Sequence, residues 1–204
     1  MAVSKTFPPE SIREAYAAGT RVFGENRVQE FAAKAGVLRE LVGIEWHLIG
    51  HLQSNKAAKA AELFGAIDSL DSVRLAEKLN AAAEAEGKTL PVLVEINVGG
   101  EEAKSGIPPG SEELEQILIG APQWKHLAIR GLMTVPPYTD APEDARPFFR
   151  QLRNIRDGIA ARDLPGVSMN VLSMGMSHDF EIAVDEGSTC VRVGTGIFGE
   201  RVKP

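Results

Sequence analysis

Eight short apolar runs, each followed by a stretch of helical spacing, constrain this chain more than any other feature of its sequence. The runs fall at 2–5, 21–24, 45–50, 66–70, 91–98, 129–135, 168–175 and 191–195. Between them Val28, Phe31, Ala35, Leu38 and Leu41 step by three or four; Leu75, Leu79 and Ala82 do the same, as do Phe148, Leu152, Ile155 and Ile159. Apolar positions at that period place one stripe of a helix on a core. Regular alternation of strand and helix predicts an α/β chain with a parallel sheet, and eight such units predict a closed (β/α)8 TIM-type barrel. The 204 residues are fewer than the roughly 250 usual for that architecture. No Ser- or Gly-rich linker interrupts them, so 1–204 reads as a single domain.

Punctuation residues refine the helices. Pro142 and Pro147 suit the first turn of the sixth, residues 53–63 form the one after the third strand, Ser177 is expected to cap the seventh and Gly187 to end it.

A net charge of -6 argues against a general surface for nucleic acid or anionic membrane. Cys190 is the only cysteine, which precludes an intrachain disulfide and fits a reducing compartment. The opening residues carry no apolar signal core and no run of 18 apolar residues occurs, so a cytoplasmic location is expected.

In a barrel of this kind ligands gather at the carboxyl ends of the strands. The residues expected there are small or polar: Lys5, Gly24 to Asn26, Gly50-His51, Asn97, Met133-Thr134, Ser173 to Ser177 and Arg192 to Thr195. The last two groups, on neighbouring strands, suit a cradle of backbone N–H groups for a phosphate. Gly194-x-Gly196-x-x-Gly199 matches a dinucleotide fingerprint literally, yet that fold needs a helix, another strand and an acidic residue about 20 positions on. Five residues follow Gly199.

Seven motifs then stand in one order. They are Ala2-Val3-Ser4-Lys5-Thr6, Phe23-Gly24-Glu25-Asn26-Arg27-Val28-Gln29-Glu30, the run from Trp46 to Lys56, Lys104-Ser105-Gly106, Gly131-Leu132-Met133, Leu172-Ser173-Met174-Gly175-Met176-Ser177 and Val191-Arg192-Val193-Gly194-Thr195. With them the chain strongly resembles, over essentially its whole length, the pyridoxal phosphate homeostasis proteins, single-domain relatives of the barrel half of alanine racemase. The resemblance implies that Lys5 carries pyridoxal 5'-phosphate (PLP) as a Schiff base, which requires the neutral amine that a partly desolvated barrel mouth favours. It implies that Ser177, Gly194 and Thr195 hold the phosphate, that Asn26, Ser173 and Met174 line the pocket, and that Arg192 faces the pyridine nitrogen. An arginine there only donates, keeps the nitrogen unprotonated and leaves the ring a poor electron sink. Bland readings stand beside these: a frayed-terminus lysine, helix caps for the serines, a surface ion pair for Arg192.

Other features are weaker. His47-x-x-x-His51 has zinc-like spacing, but the segment reads as a strand, where that spacing does not bring both rings to one metal. Lys104 reads first as an exposed loop lysine and second as a further cofactor contact. Glu45, Asp68 and Glu95 lack an evident catalytic partner, and Cys190 reads as core. The sequence starts four residues ahead of Lys5, whereas family members have a helix and a complete first strand there. A short first strand without that helix is therefore expected, or equally a start assigned too far downstream.

The function implied is PLP binding in vitamin B6 homeostasis without turnover, with no catalytic residue and no metal. The implied partners are PLP and PLP-dependent apo-enzymes as recipients, with neither nucleic acid nor membrane, and a monomer is expected. The rival is an amino-acid racemase, which needs a second acid–base group opposite the lysine, supplied in alanine racemases by a tyrosine from an additional β domain. Tyr16 and the loop residue Tyr138 are weak substitutes. A sugar-phosphate enzyme would use the cradle and leave Lys5 unexplained.

Overall fold

The computed structural model describes residues 1–101 and 104–200. Eight strands form one parallel sheet in sequential order: β1 (Ala2–Val3), β2 (Val22–Glu25), β3 (Glu45–Leu48), β4 (Ala66–Leu70), β5 (Leu90–Glu95), β6 (Leu127–Met133), β7 (Val167–Met176) and β8 (Cys190–Arg192). The barrel closes where β1 meets the end of β8. Val3 N–H donates to the Val193 carbonyl at 2.8 Å and Val193 N–H to the Met1 carbonyl at 3.0 Å. All eight expected strands are present, and β1 is the shortest.

The helices between them are α1 (Pro9–Ala17), α2 (Val28–Ala35), α3 (Ala57–Leu63), α4 (Val73–Ala85), α5 (Glu112–Gly120), α6 (Arg146–Ala160), α7 (Phe180–Asp185) and α8 (Thr195–Phe198). Their apolar stripes cover the barrel. Leu75 and Leu79 of α4 and Phe149 and Leu152 of α6 are fully buried in the main core, with all five residues of β4 buried beneath. A smaller cluster of Ala2, Ile12, Ala15, Phe23 and Leu38 supports the first two strands. Ser72 and Ser111 cap α4 and α5 by accepting from Leu75 N–H and Leu114 N–H.

Several expected boundaries are corrected. The stripe running from Val28 to Leu41 breaks after Ala35 into a short 3-10 turn at Gly36–Leu38, and residues 53–63 begin as another at Ser54–Lys56. Pro142 opens a separate turn, Pro142–Ala145, while Pro147 lies in the first turn of α6. Residues 194 and 195 leave the sheet and start α8. Ser177 does not cap α7. Asp179 occupies the cap position, and its carboxylate accepts from Met176 N–H at 2.6 Å. Gly187 does end that helix, at φ 92°. No helix among the described residues is long and apolar enough to cross a membrane.

Candidate functional site

The strand ends bring most of the predicted residues to one rim. Lys5 sits in the turn after β1, and its Nζ lies 3.5 Å from Asn26 Oδ1 in the segment after β2. Gly50, beyond β3, has to be glycine for this approach: a Cβ there would stand 2.4 Å from the Asn26 carbonyl oxygen. A cavity of about 600 Å³ opens beside them, lined among others by Lys5, Asn26, His51, Glu95 and Lys104.

Neighbouring strands supply the donors. Arg192 is only 3% exposed, which replaces the surface ion-pair reading with an interior one. Its guanidinium donates to Ser173 Oγ at 2.8 Å and to the Thr134 carbonyl at 2.7 Å. Burial draws its pKa below the ordinary arginine value, against the pull of Cys190 and the surrounding carboxylates. Ser177 Oγ accepts from Gly194 N–H at 3.1 Å and Gly196 N–H at 3.4 Å, so two amides converge on one oxygen. Thr195 opens α8 beside them. Gly194 packs on β1 itself, where an added Cβ would lie 3.6 Å from the Val3 carbonyl oxygen. The amide pair and the Lys5 turn are therefore adjacent across the barrel seam. Met174, like Ser173 beside it, is fully buried; its side chain belongs to the main core and does not line the cavity, contrary to the expected pocket role.

Sequence reasoning undervalued four polar residues here. Lys104 is half-buried on the cavity wall, pairs with Glu101 and donates to the Pro136 carbonyl at 3.2 Å, so it is not an exposed loop lysine. Glu95 accepts from Ser105 Oγ at 2.9 Å through Oε1, while its buried Oε2 has no hydrogen-bond partner among the described residues. Burial pushes its carboxyl above the usual range, against the pull of Ser105. Lys34 and Glu25 form a buried pair at 2.8 Å directly under the Lys5 turn. Lys104 and Glu25 stand inside the family motifs and Glu95 has no evident partner in the sequence, but nothing there marks Lys34 or the burial of the Lys34–Glu25 pair, which depends on segments distant in the chain.

The two histidines serve different partners. His47 Nδ1 lies 2.9 Å from Asp68 Oδ1 and His51 Nδ1 2.9 Å from Asp71 Oδ2. His47, with Glu45, Asp68 and the half-buried Cys190, lines a second cavity of about 330 Å³ at the amino ends of the strands.

Residues 1–202 match the family model described as alanine racemase, N-terminal domain. The chain is 47% identical over 201 residues to the pyridoxal phosphate homeostasis protein of Aquifex aeolicus, covering 98% of this chain and 86% of that one. It is 42% identical over 206 residues to the protein of the same name from Escherichia coli K12, covering 98% and 85%. PipY of Synechococcus elongatus, solved with PLP bound, superposes with a TM-score of 0.88 at 42% identity, covering 98% of this chain and 91% of that one. Alanine racemase of Clostridium difficile, at 16% identity, TM-score 0.74 and 52% coverage of its own length, shares the fold. Near-complete alignment at such identities, on a barrel with this lysine turn and amide pair, places the chain in the pyridoxal phosphate homeostasis protein family, built on the alanine racemase N-terminal domain.

Proposed function

We propose that this protein holds PLP covalently on Lys5 and takes part in intracellular PLP homeostasis. The observation that carries the reading is that the backbone turn bearing Lys5 adjoins a convergent amide pair across the β1–β8 seam, with Lys5 on the wall of a cavity of about 600 Å³. The donor set fits the cofactor. Gly194 N–H, Gly196 N–H, Ser177 and Thr195 would hold the phosphate, Arg192 would face the pyridine nitrogen with Ser173 behind it, and Asn26 would border the ring. PLP supplies an aldehyde that condenses with a neutral primary amine. The chain's own residues orient that amine, fix the anion and, through an always-protonated arginine, keep the ring nitrogen from taking a proton.

The same residues favour holding over turnover. Racemisation requires a second acid–base group facing the lysine. Tyr16 spends its hydroxyl on the Val42 carbonyl at 3.0 Å, and Tyr138 is 78% exposed, stacked on His178. A single-domain, cytoplasmic, monomeric carrier that passes PLP to apo-enzymes accords with this. Borohydride reduction of the PLP-treated protein followed by peptide mass analysis tests the reading. The phosphopyridoxyl mass is expected on Lys5 and lost in Lys5→Ala; an unmodified Lys5 rejects covalent binding. Steady Lys5-dependent inversion of an amino acid, read by chiral chromatography, would reject the non-catalytic part.

A further inference from the structure

The turn that carries Lys5 is strained and then clamped. Thr6 has φ 69°, in the left-handed region where a β-branched residue is costly and persists only when its surroundings over-determine it. The surroundings do so. Thr6 N–H donates to Glu30 Oε1, and Phe7 N–H returns to the Ser4 carbonyl at 3.1 Å. Lys34 of α2 reaches in from below, only 8% exposed. Its ammonium donates to the Ser4 carbonyl at 3.2 Å, the Phe7 carbonyl at 3.3 Å and Glu25 Oε1 at 2.8 Å, with Glu30 Oε1 at 3.6 Å. Ser4 Oγ adds a second donor to Glu25 Oε1 at 2.6 Å. Beyond the turn, the Phe7 ring stacks on Phe198 of α8 with centroids 4.8 Å apart.

One ammonium thus spends its three hydrogens on the two carbonyls that bracket Lys5 and Thr6 and on a buried carboxylate. A buried ion pair is weak evidence for stability, because apolar residues of similar volume often serve as well. Its value here lies in where it acts. Turning the Lys5 backbone by a small angle would swing the amine away from Asn26 and the cavity.

We infer that Lys34, with Glu25 and Glu30, is a positioning device for the Lys5 amine, locking a strained turn so that the amine meets an incoming aldehyde. The inference rests on the proposal that Lys5 takes PLP. A displacement of about 1 Å costs on the order of a hundredfold in a reaction that depends on alignment. The device therefore governs covalent capture far more than it governs filling of the pocket.

Two probes separate these effects in the full chain: PLP, and pyridoxine 5'-phosphate, which carries an alcohol in place of the aldehyde and cannot bond to Lys5. Lys34→Met is expected to slow borohydride-trappable capture of PLP at least about tenfold while leaving pyridoxine 5'-phosphate affinity within about twofold of wild type. Glu30→Ala, which leaves the buried pair intact, is expected to move capture the same way by less. If Lys34→Met fails to fold, Glu30→Ala and the paired Glu25→Gln/Lys34→Met variant decide. Equal losses for both probes, or unchanged capture in folded variants, overturn the device. A wild-type protein that fills with PLP and is never trapped at Lys5 removes the underlying reading, and the device with it.

Discussion

The guanidinium of Arg192 donates to Ser173 Oγ at 2.8 Å and, through its other terminal nitrogen, to the Thr134 carbonyl at 2.7 Å. One buried side chain from the end of β8 thereby ties the ends of β7 and β6. The tie continues inward, since Thr134 Oγ1 donates to the Ile96 carbonyl beyond β5 at 2.6 Å. The side of the mouth formed by the last four strands is therefore a connected polar layer.

A lysine at position 192 could not reproduce this tie. Its ammonium is a single point on a flexible stem, whereas the guanidinium is a planar fork that reaches both acceptors. Arg192→Lys is expected to lower the free energy of unfolding by about 2 kcal/mol, the scale of hydrogen bonds from a charged donor. Urea denaturation reads the loss as a fall in midpoint at constant slope; an unchanged midpoint would show that the fork contributes nothing.

The barrel was legible because parallel strands buried on both faces appear as apolar runs, and all eight runs became strands. The family motifs likewise brought Lys5, Asn26, Ser177, Gly194 and Arg192 to one rim. What stayed hidden depends on partners from afar. Ser177 has the look of a helix cap, but its hydroxyl turns to the Gly194 and Gly196 amides, which a later strand delivers. Lys34 has the composition of a solvated helix face and is buried only because the Ser4 and Phe7 carbonyls fold over it from 30 and 27 residues upstream. Glu95 appeared idle in sequence because Ser105, its donor, lies in the following loop.

Close backbone approach between β6 and β7 singles out one glycine. A Cβ on Gly131 would stand 1.7 Å from the Val171 carbonyl oxygen, a contact only backbone movement relieves. Gly131→Ala is expected to cost at least about 3 kcal/mol, in the range of severe core overpacking. Gly158, exposed in α6 with nothing within 4 Å, is the control. Gly158→Ala is expected to raise stability by about 0.5 to 1 kcal/mol through helix propensity and a less flexible unfolded chain. Comparable midpoints for the two variants would contradict the strand geometry.

His47 couples stability to pH in the ordinary histidine direction. Desolvation pulls its pKa down, but the Asp68 carboxylate at 2.9 Å and Glu45 at 3.5 Å outweigh it and leave the folded value above 6.5. The folded state then binds the proton more tightly, so the contribution is complete below the unfolded value and disappears as pH rises through the folded one. His47→Gln is expected to destabilise most in mildly acidic solution, with the gap to wild type narrowing toward alkaline pH. Thermal melts across that window check it, and a gap that widens with pH would reverse the assigned sign.

Glu95 runs the opposite way to a salt-bridged carboxylate. Burial comes first among its influences and raises the carboxyl above 4.5, outweighing the donors that favour the anion, namely Ser105 and the more distant Arg192 and His51. The unfolded chain gives up this proton near the ordinary value while the folded chain retains it. Wild-type stability therefore falls as pH climbs from about 4.5 through the raised folded value and levels off above it. Glu95→Gln keeps an oxygen to accept from Ser105 and removes the titration. The variant should match wild type near about pH 4 and become progressively more stable than it toward neutrality, read as a growing difference in urea midpoint. A constant difference across that range would mean that the unpartnered Oε2 is solvated in solution, and that the wall of the cavity beside Lys5 is wetter than its geometry indicates.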